Sequence, residues 1–184
     1  MSDNVTAESI IDFWYSDKIK PAWFNSSNEL DQEIKDKFET VWKAAIRGDY
    51  NEWKNSAEGC LALAIIFDQF PLNMFRGDVE SFSTEQMAVK VTKYAVEHGF
   101  DNMIAKNKLA FLYMPLMHSE DINDQDLAVE LFEKAGLAEN LRFAKHHREI
   151  VRKFGRFPHR NTILQRQSSQ AELDYLDSDE AFKG

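Results

Sequence analysis

At 184 residues the chain is long enough for one domain with a substantial core and short for two, so we read residues 1–184 as a single domain. Its apolar fraction of 43% and charged fraction of 29% are those of an ordinary globular protein, which excludes fibrous and disordered classes. A formal net charge of −9 and the lack of any nucleic-acid motif argue against a polyanionic partner.

The opening stretch MSDNVTAESIIDF carries acids where a secretory signal would carry Lys or Arg. Thr6 is placed to cap a first helix whose apolar positions are Ile10, Ile11, Phe13 and Trp14. The segment NELDQEIKDKFETVWKAAIRG is the clearest helix, with Asn28 as cap and Gly48 as its stop. Its stripe of Leu30, Ile34, Phe38, Val41, Trp42 and Ala45 follows the three-and-four spacing of a half-buried helix.

GCLALAIIFDQF is apolar nearly all round, as a central helix should be, and Pro71 is expected to end it. Its run from Cys60 to Phe67 falls far below the ~20 residues of a membrane span, so no membrane association is expected. Cys60, the single cysteine, reads as a buried thiol and suits a reducing cytosol, hence a cytoplasmic location. Ser83 and Gln86 form a capping-box pattern before the next helix, which Gly99 stops. NKLAFLYM reads as a short helix halted by Pro115, and DQDLAVELFEKAG as another with Asp124 or Asn123 as cap. AENLRFAKHHREIVRKFG follows, and Ser168 opens a last helix. About eight helices with short connectors and no convincing strand predict an all-α, antiparallel bundle. Helix pairs recur at roughly tetratricopeptide size, but no consensus repeats at a fixed period.

Four polar motifs lie between these helices: LALAIIFDQFPLNMFRG, YMPLMHSED, DQDLAVELF and FGRFPHRN. In this order and spacing they resemble the DUF924 family of uncharacterised bacterial proteins, over about Ile10 to Phe182. The resemblance implies a tetratricopeptide-like helical fold and no established activity. Two positions depart from the family pattern. Leu72 stands where Arg usually follows DQFP, and Gln165 stands where Gly is usual in LGR.

The stretch Phe154–Arg166 gathers three arginines and a histidine around Pro158. From Arg142 to Arg166 there are eight Lys or Arg and one acid, a net +7, so the rest of the chain carries −16. On a helix, Lys145, Arg148, Arg152 and Arg156 form one stripe and Phe143, His147, Ile150 and Phe154 the opposite one. A solvated basic face paired with acidic neighbours is the plain reading of the first stripe. His147, on the apolar stripe, reads as a core histidine, with a ligand-binding role as the sharper reading.

The loop after Gly155 offers more. Phe157 and Pro158 can pin the backbone, while Arg156, His159, Arg160 and Asn161 supply donors that suit carboxylates or phosphates. HSED is the natural opposing wall: His118 and Glu120 would share a site if they face the basic loop, and otherwise complement a helix start. Asp68 and Gln69 interrupt the most apolar helix, so a cation must reach Asp68, with Arg76 or a loop arginine expected. No second histidine–carboxylate cluster, phosphate-binding Gly loop or nucleophile elbow is legible, so neither metal nor cofactor is expected.

Two functions follow. The leading one is a binding module whose polar cleft holds a small anionic ligand or a carboxylate-bearing peptide. The rival is a cofactor-independent hydrolase. There His118 or His159 would be the base, Glu120 its orienting carboxylate, and Arg156 and Arg160 the oxyanion stabilisers.

Overall fold

The structure, a computed structural model, describes residues 5–182. Its described elements are all helical: α1 (Ala7–Trp14), α2 (Asn28–Arg47), α3 (Ala57–Ala64), α4 (Phe70–Met74), α5 (Glu85–Glu97), α6 (Lys106–His118), α7 (Ile122–Lys134), α8 (Ala138–Phe154) and α9 (Gln170–Leu176), with short 3₁₀ turns between several of them. A π turn, Ile65–Gln69, joins α3 to α4, so these run as one rod and the described residues form eight helical segments. None of the described helices is long and apolar enough to cross a membrane.

α3 sits at the centre, against α1 on one side and α5 on another, while α2 packs on α4. The second half builds by successive pairing of α5 with α6, α6 with α7 and α7 with α8. That pairing bears out the all-α bundle; a tetratricopeptide-like arrangement rests on the resemblance alone. The stripe of α2 enters the core as its spacing predicts, through Ile34, Phe38, Val41, Trp42 and Ala45. Gly48 follows it at φ 91°, the left-handed geometry that ends a helix cheaply only with glycine. Cys60 is fully buried, as expected, and burial pushes its thiol up to about 11. Gly59 allows a close backbone approach: a Cβ there would lie 1.9 Å from the Trp53 carbonyl oxygen.

Several helix boundaries differ from the sequence expectation. Pro71 does not stop the central helix. The chain slips into the π turn, where the Phe70 N–H donates to the Ile65 carbonyl, and continues to Met74. The carbonyl that Pro71 cannot serve, that of Phe67, accepts instead from the Thr84 hydroxyl at 2.7 Å. Thr84 is therefore the N-cap residue of α5 without capping it by its side chain, and the Ser83–Gln86 box does not form. Pro115 likewise lies inside α6. The ~3 kcal/mol a helical proline costs is offset by burying Leu116 and Met117 beyond it, at roughly 1.5–3 kcal/mol each. The caps of α2, α7 and α9 are Ser27, Asp121 and Ser169, each near the residue expected. At each start the extended backbone, rather than side-chain type, selects among neighbouring polar residues.

A second, small core stands apart from the main one. It consists of Ile150, Val151, Phe157 and Tyr175, with Ile122, Phe154, Leu176, Ala181 and Phe182 packed against it.

Candidate functional site

The π turn is where the site begins. It turns Asp68, 4% exposed, toward the last residue of α6, His118. His118 Nδ1 lies 2.9 and 3.0 Å from the two Asp68 carboxylate oxygens. Gln69 donates to the same carboxylate and to the Met114 sulfur. An imidazole so held donates from Nδ1 and keeps its Nε2 lone pair available. Among the described residues Nε2 has no hydrogen-bond partner, and the side chain is partly exposed.

This overturns the arginine partner expected for Asp68. Arg76 leaves the far end of α4 on the outer side of the bundle, where its Nε donates to Asp31 at 2.7 Å. α6 packs directly on the π turn, so the group that reaches Asp68 is the His118 imidazole rather than a guanidinium. The orienting role assigned to Glu120 also moves to Asp68. Both Glu120 oxygens are taken by Arg166, at 2.6 and 2.9 Å, and the Phe157 N–H donates to one of them at 2.7 Å. Burial raises the Glu120 carboxyl, but these hydrogen bonds and the charges of Arg160 and Arg166 outweigh it and hold it below the usual carboxylate range.

Arg160 supports His118 from the backbone side. It is 6% exposed, donates to the His118 carbonyl at 2.8 Å, and pairs with Glu85 at 2.7 Å. Its guanidinium lies between the Phe82 and Phe157 rings, 4.6 and 4.7 Å from their centroids. Burial raises the Glu85 carboxyl, and Arg160 offsets only part of that. Asn161 accepts from Arg166 and donates to Ser168, tying the loop back on itself.

The other loop residues separate. Arg156 turns outward to Glu172, with Nε 2.6 Å from Oε1, and docks α9. Arg156, His159 and Arg160 therefore do not converge on one point: in a ten-residue excursion around Pro158, each arginine has met its own carboxylate. His159 stays beside the site. Burial, and then the charge of Arg160, push its imidazole down to about 4. His147 is in the small core, as the plain reading expected, its Nδ1–H donating to the Phe143 carbonyl, and burial pushes it down to about 3. The basic stripe of α8 is likewise paired, Arg148 and Arg152 with Asp126 of α7 and Lys145 near Glu133.

Two residues central to this network escaped the sequence reading. Glu85 looked like an ordinary first-turn acid of α5, and nothing local marks its partner 75 residues away. Arg166 lies in the LQR that resembles the family's LGR, and the quoted motif was the signal available. Two surface hollows lie elsewhere, along the start of α2 and between α2 and the end of α4. Where a polar cleft was expected, Asp68, Glu85 and Glu120 are each hydrogen-bonded to a partner side chain.

The sequence profile of a family described as bacterial proteins of unknown function, DUF924, matches residues 10–180. The chain belongs to this family. A solved structure of a protein of unknown function from Agrobacterium tumefaciens is 37% identical over 93% of this chain and 96% of that one, with a TM-score of 0.88. No curated protein matches. Against the family pattern, Gln165 proves informative: it is the one described non-glycine residue at positive φ, 54°, where LGR would place Gly.

Proposed function

We propose that this DUF924 protein is a cofactor-independent acid–base catalyst, acting as a hydrolase on small neutral esters or amides. The observation that carries the reading is the open Nε2 of an imidazole whose Nδ1 is bound to a buried carboxylate. In this arrangement Asp68 fixes the tautomer, His118 Nε2 takes a proton from water, and the resulting imidazolium returns it to the leaving group. Arg160 acts by holding the His118 carbonyl. A neutral substrate is favoured because Asp68, Glu85 and Glu120 surround the site, while Arg160 and Arg166 are already engaged by two of those carboxylates. For the same reason neither Arg156 nor Arg160 serves as an oxyanion stabiliser in this reading.

The test is a panel of chromogenic esters and amides, assayed with the unmodified protein, His118→Gln and Asp68→Asn. Loss of general-base catalysis should lower the rate about 10²–10⁴-fold in His118→Gln. Equal rates in the unmodified and His118→Gln proteins would end this reading.

A binding module for small anions keeps one observation in its favour. Arg160 Nε and His159 Nδ1 are buried without a hydrogen-bond partner among the described residues. Phosphate, sulfate and small dicarboxylates at matched ionic strength should then raise Tm saturably, by roughly 2.7 kcal/mol of stability at a hundredfold excess over Kd. The shift should vanish in Arg160→Ala; featureless shifts in both proteins would remove the binding reading.

A further inference from the structure

The segment after α9 is held differently from the rest of the fold. The chain turns at Ser178, where the Ala181 N–H reaches the Ser178 carbonyl, and brings Phe182 back over the small core. The Phe182 N–H donates to the Tyr175 hydroxyl at 2.9 Å. Its ring lies on two imidazoles, with centroids 4.4 Å from His147 and 5.0 Å from His159. Both imidazoles in turn pack on Phe157, whose other neighbour is the Arg160 guanidinium that holds the His118 carbonyl. The small core is separate from the main one, so Phe182 can lift without opening the main core.

The surroundings suit neutral imidazoles and oppose charged ones. His147 faces His118 at the end of α6, His146 on its own helix and His159 on the Pro158 turn, with the Phe143 carbonyl at Nδ1. His159 faces Arg160, His118 and Arg166, against the single carboxylate of Glu120, which Arg166 already engages. An imidazolium under Phe182 would lose its hydration without gaining a free counter-ion, and the attraction of one phenyl face is smaller than that loss.

We propose that Asp177–Phe182 is a proton-released cap, closed over His147 and His159 while both are neutral and lifted when they take up protons. Lifting it opens His159 to solvent; any bearing on catalysis rests on the acid–base reading of His118, whereas the release itself does not. The closed state is complete above the ordinary histidine range near 6.5 and is lost as pH falls toward about 4, the value burial gives His159. Between pH 7 and 5 the ratio of open to closed should rise roughly 20-fold for each histidine freed, and on the order of several hundredfold for both. α9 itself stays docked through this window. The Arg156 hydrogen bond holds the Glu172 carboxyl down at about 2, so that ion pair outlasts the cap.

The experiment is an NMR titration of histidine rings and C-terminal amides from pH 7.5 to 4, on the full chain and on Phe182→Ala and Phe182→Leu. In the unmodified protein the Phe182 amide should shift together with protonation of His159. In Phe182→Ala the His159 midpoint should rise by at least about one pH unit toward the free value, and Phe182→Leu should restore it in part. The cap is refuted by an unchanged His159 midpoint in Phe182→Ala, or by a Phe182 amide that keeps its neutral position while both histidines protonate. No readout uses turnover, so an inactive protein with a working cap, or an active one without it, separates this inference from the catalytic reading.

Discussion

Asp68 and His118 are hydrogen-bonded across 50 residues of sequence, with both oxygens of a buried carboxylate about one imidazole nitrogen. The pair joins the π turn of the central rod to the end of α6. Converting Asp68 to Asn keeps the shape but removes the charge and one of the two acceptors. Stability should fall by about 1–3 kcal/mol, the cost of leaving a buried donor poorly matched. ¹⁵N shifts of His118 should also show both neutral tautomers rather than one. A urea midpoint and a tautomer ratio equal to those of the unmodified protein would mean that Asp68 does not orient the ring.

Acid should destabilise the fold well before carboxylates dominate. His147 and His159 are held down to about 3 and about 4 by burial, whereas the unfolded chain protonates near 6.5. Below 6.5 the unfolded state binds more protons, so stability falls with pH until the native values are reached. Glu85, raised by burial, works in the opposite sense over the lower part of that window. Each histidine contributes about 1.4 kcal/mol per pH unit, so Tm should drop by roughly 5–10 °C between pH 7.5 and 5.5. Calorimetry at those two pH values checks it, and a flat Tm would contradict the neutral, buried state of both rings.

Gln165 sits at φ 54°, in a region that L residues enter at a cost of roughly 1–2 kcal/mol. Gln165→Gly removes that strain while adding freedom to the unfolded chain, for a net gain of about 0.5–1 kcal/mol. Thermal melting should show a rise of a few degrees. A fall would mean that the Gln side chain makes compensating contacts.

The reverse is expected at Gly59. A Cβ there meets the Trp53 carbonyl at 1.9 Å, against backbone that cannot rotate away. Gly59→Ala should cost about 3 kcal/mol or more, at the upper end for overpacking, and lower the denaturant midpoint accordingly. Near-unmutated stability would show that α3 and the turn before it separate easily.

Arg160→Lys tests the fork itself. A lysine can reach Glu85 or the His118 carbonyl, not both, and loses the planar stacking between Phe82 and Phe157. The change should destabilise by about 2–4 kcal/mol in chemical denaturation, as breaking a buried pair does. Equal stability would reduce Arg160 to an exposed charge.

What the sequence alone determined is what local periodicity and composition control. The helices, the buried stripe of α2, the buried Cys60 and the core place of His147 were legible because each depends on spacing and composition, while Gln165 was marked only by the family resemblance. The two proline stops were misread because local propensity could not weigh the burial beyond Pro115 or the Thr84 hydroxyl that takes up the Phe67 carbonyl. Some polar groups of the network, Asp68, His118, Glu120 and Arg160 among them, were legible on otherwise apolar or constrained segments, whereas Glu85 was not. Their pairing was not. Which carboxylate meets His118, and which meets each arginine, depends on how α6 crosses the π turn and where the Pro158 loop lies, over separations of 16 to 75 residues. Only the tertiary structure decides that, because opposite charges carry no address in sequence, and desolvation in the folded core selects the few pairs that satisfy one another.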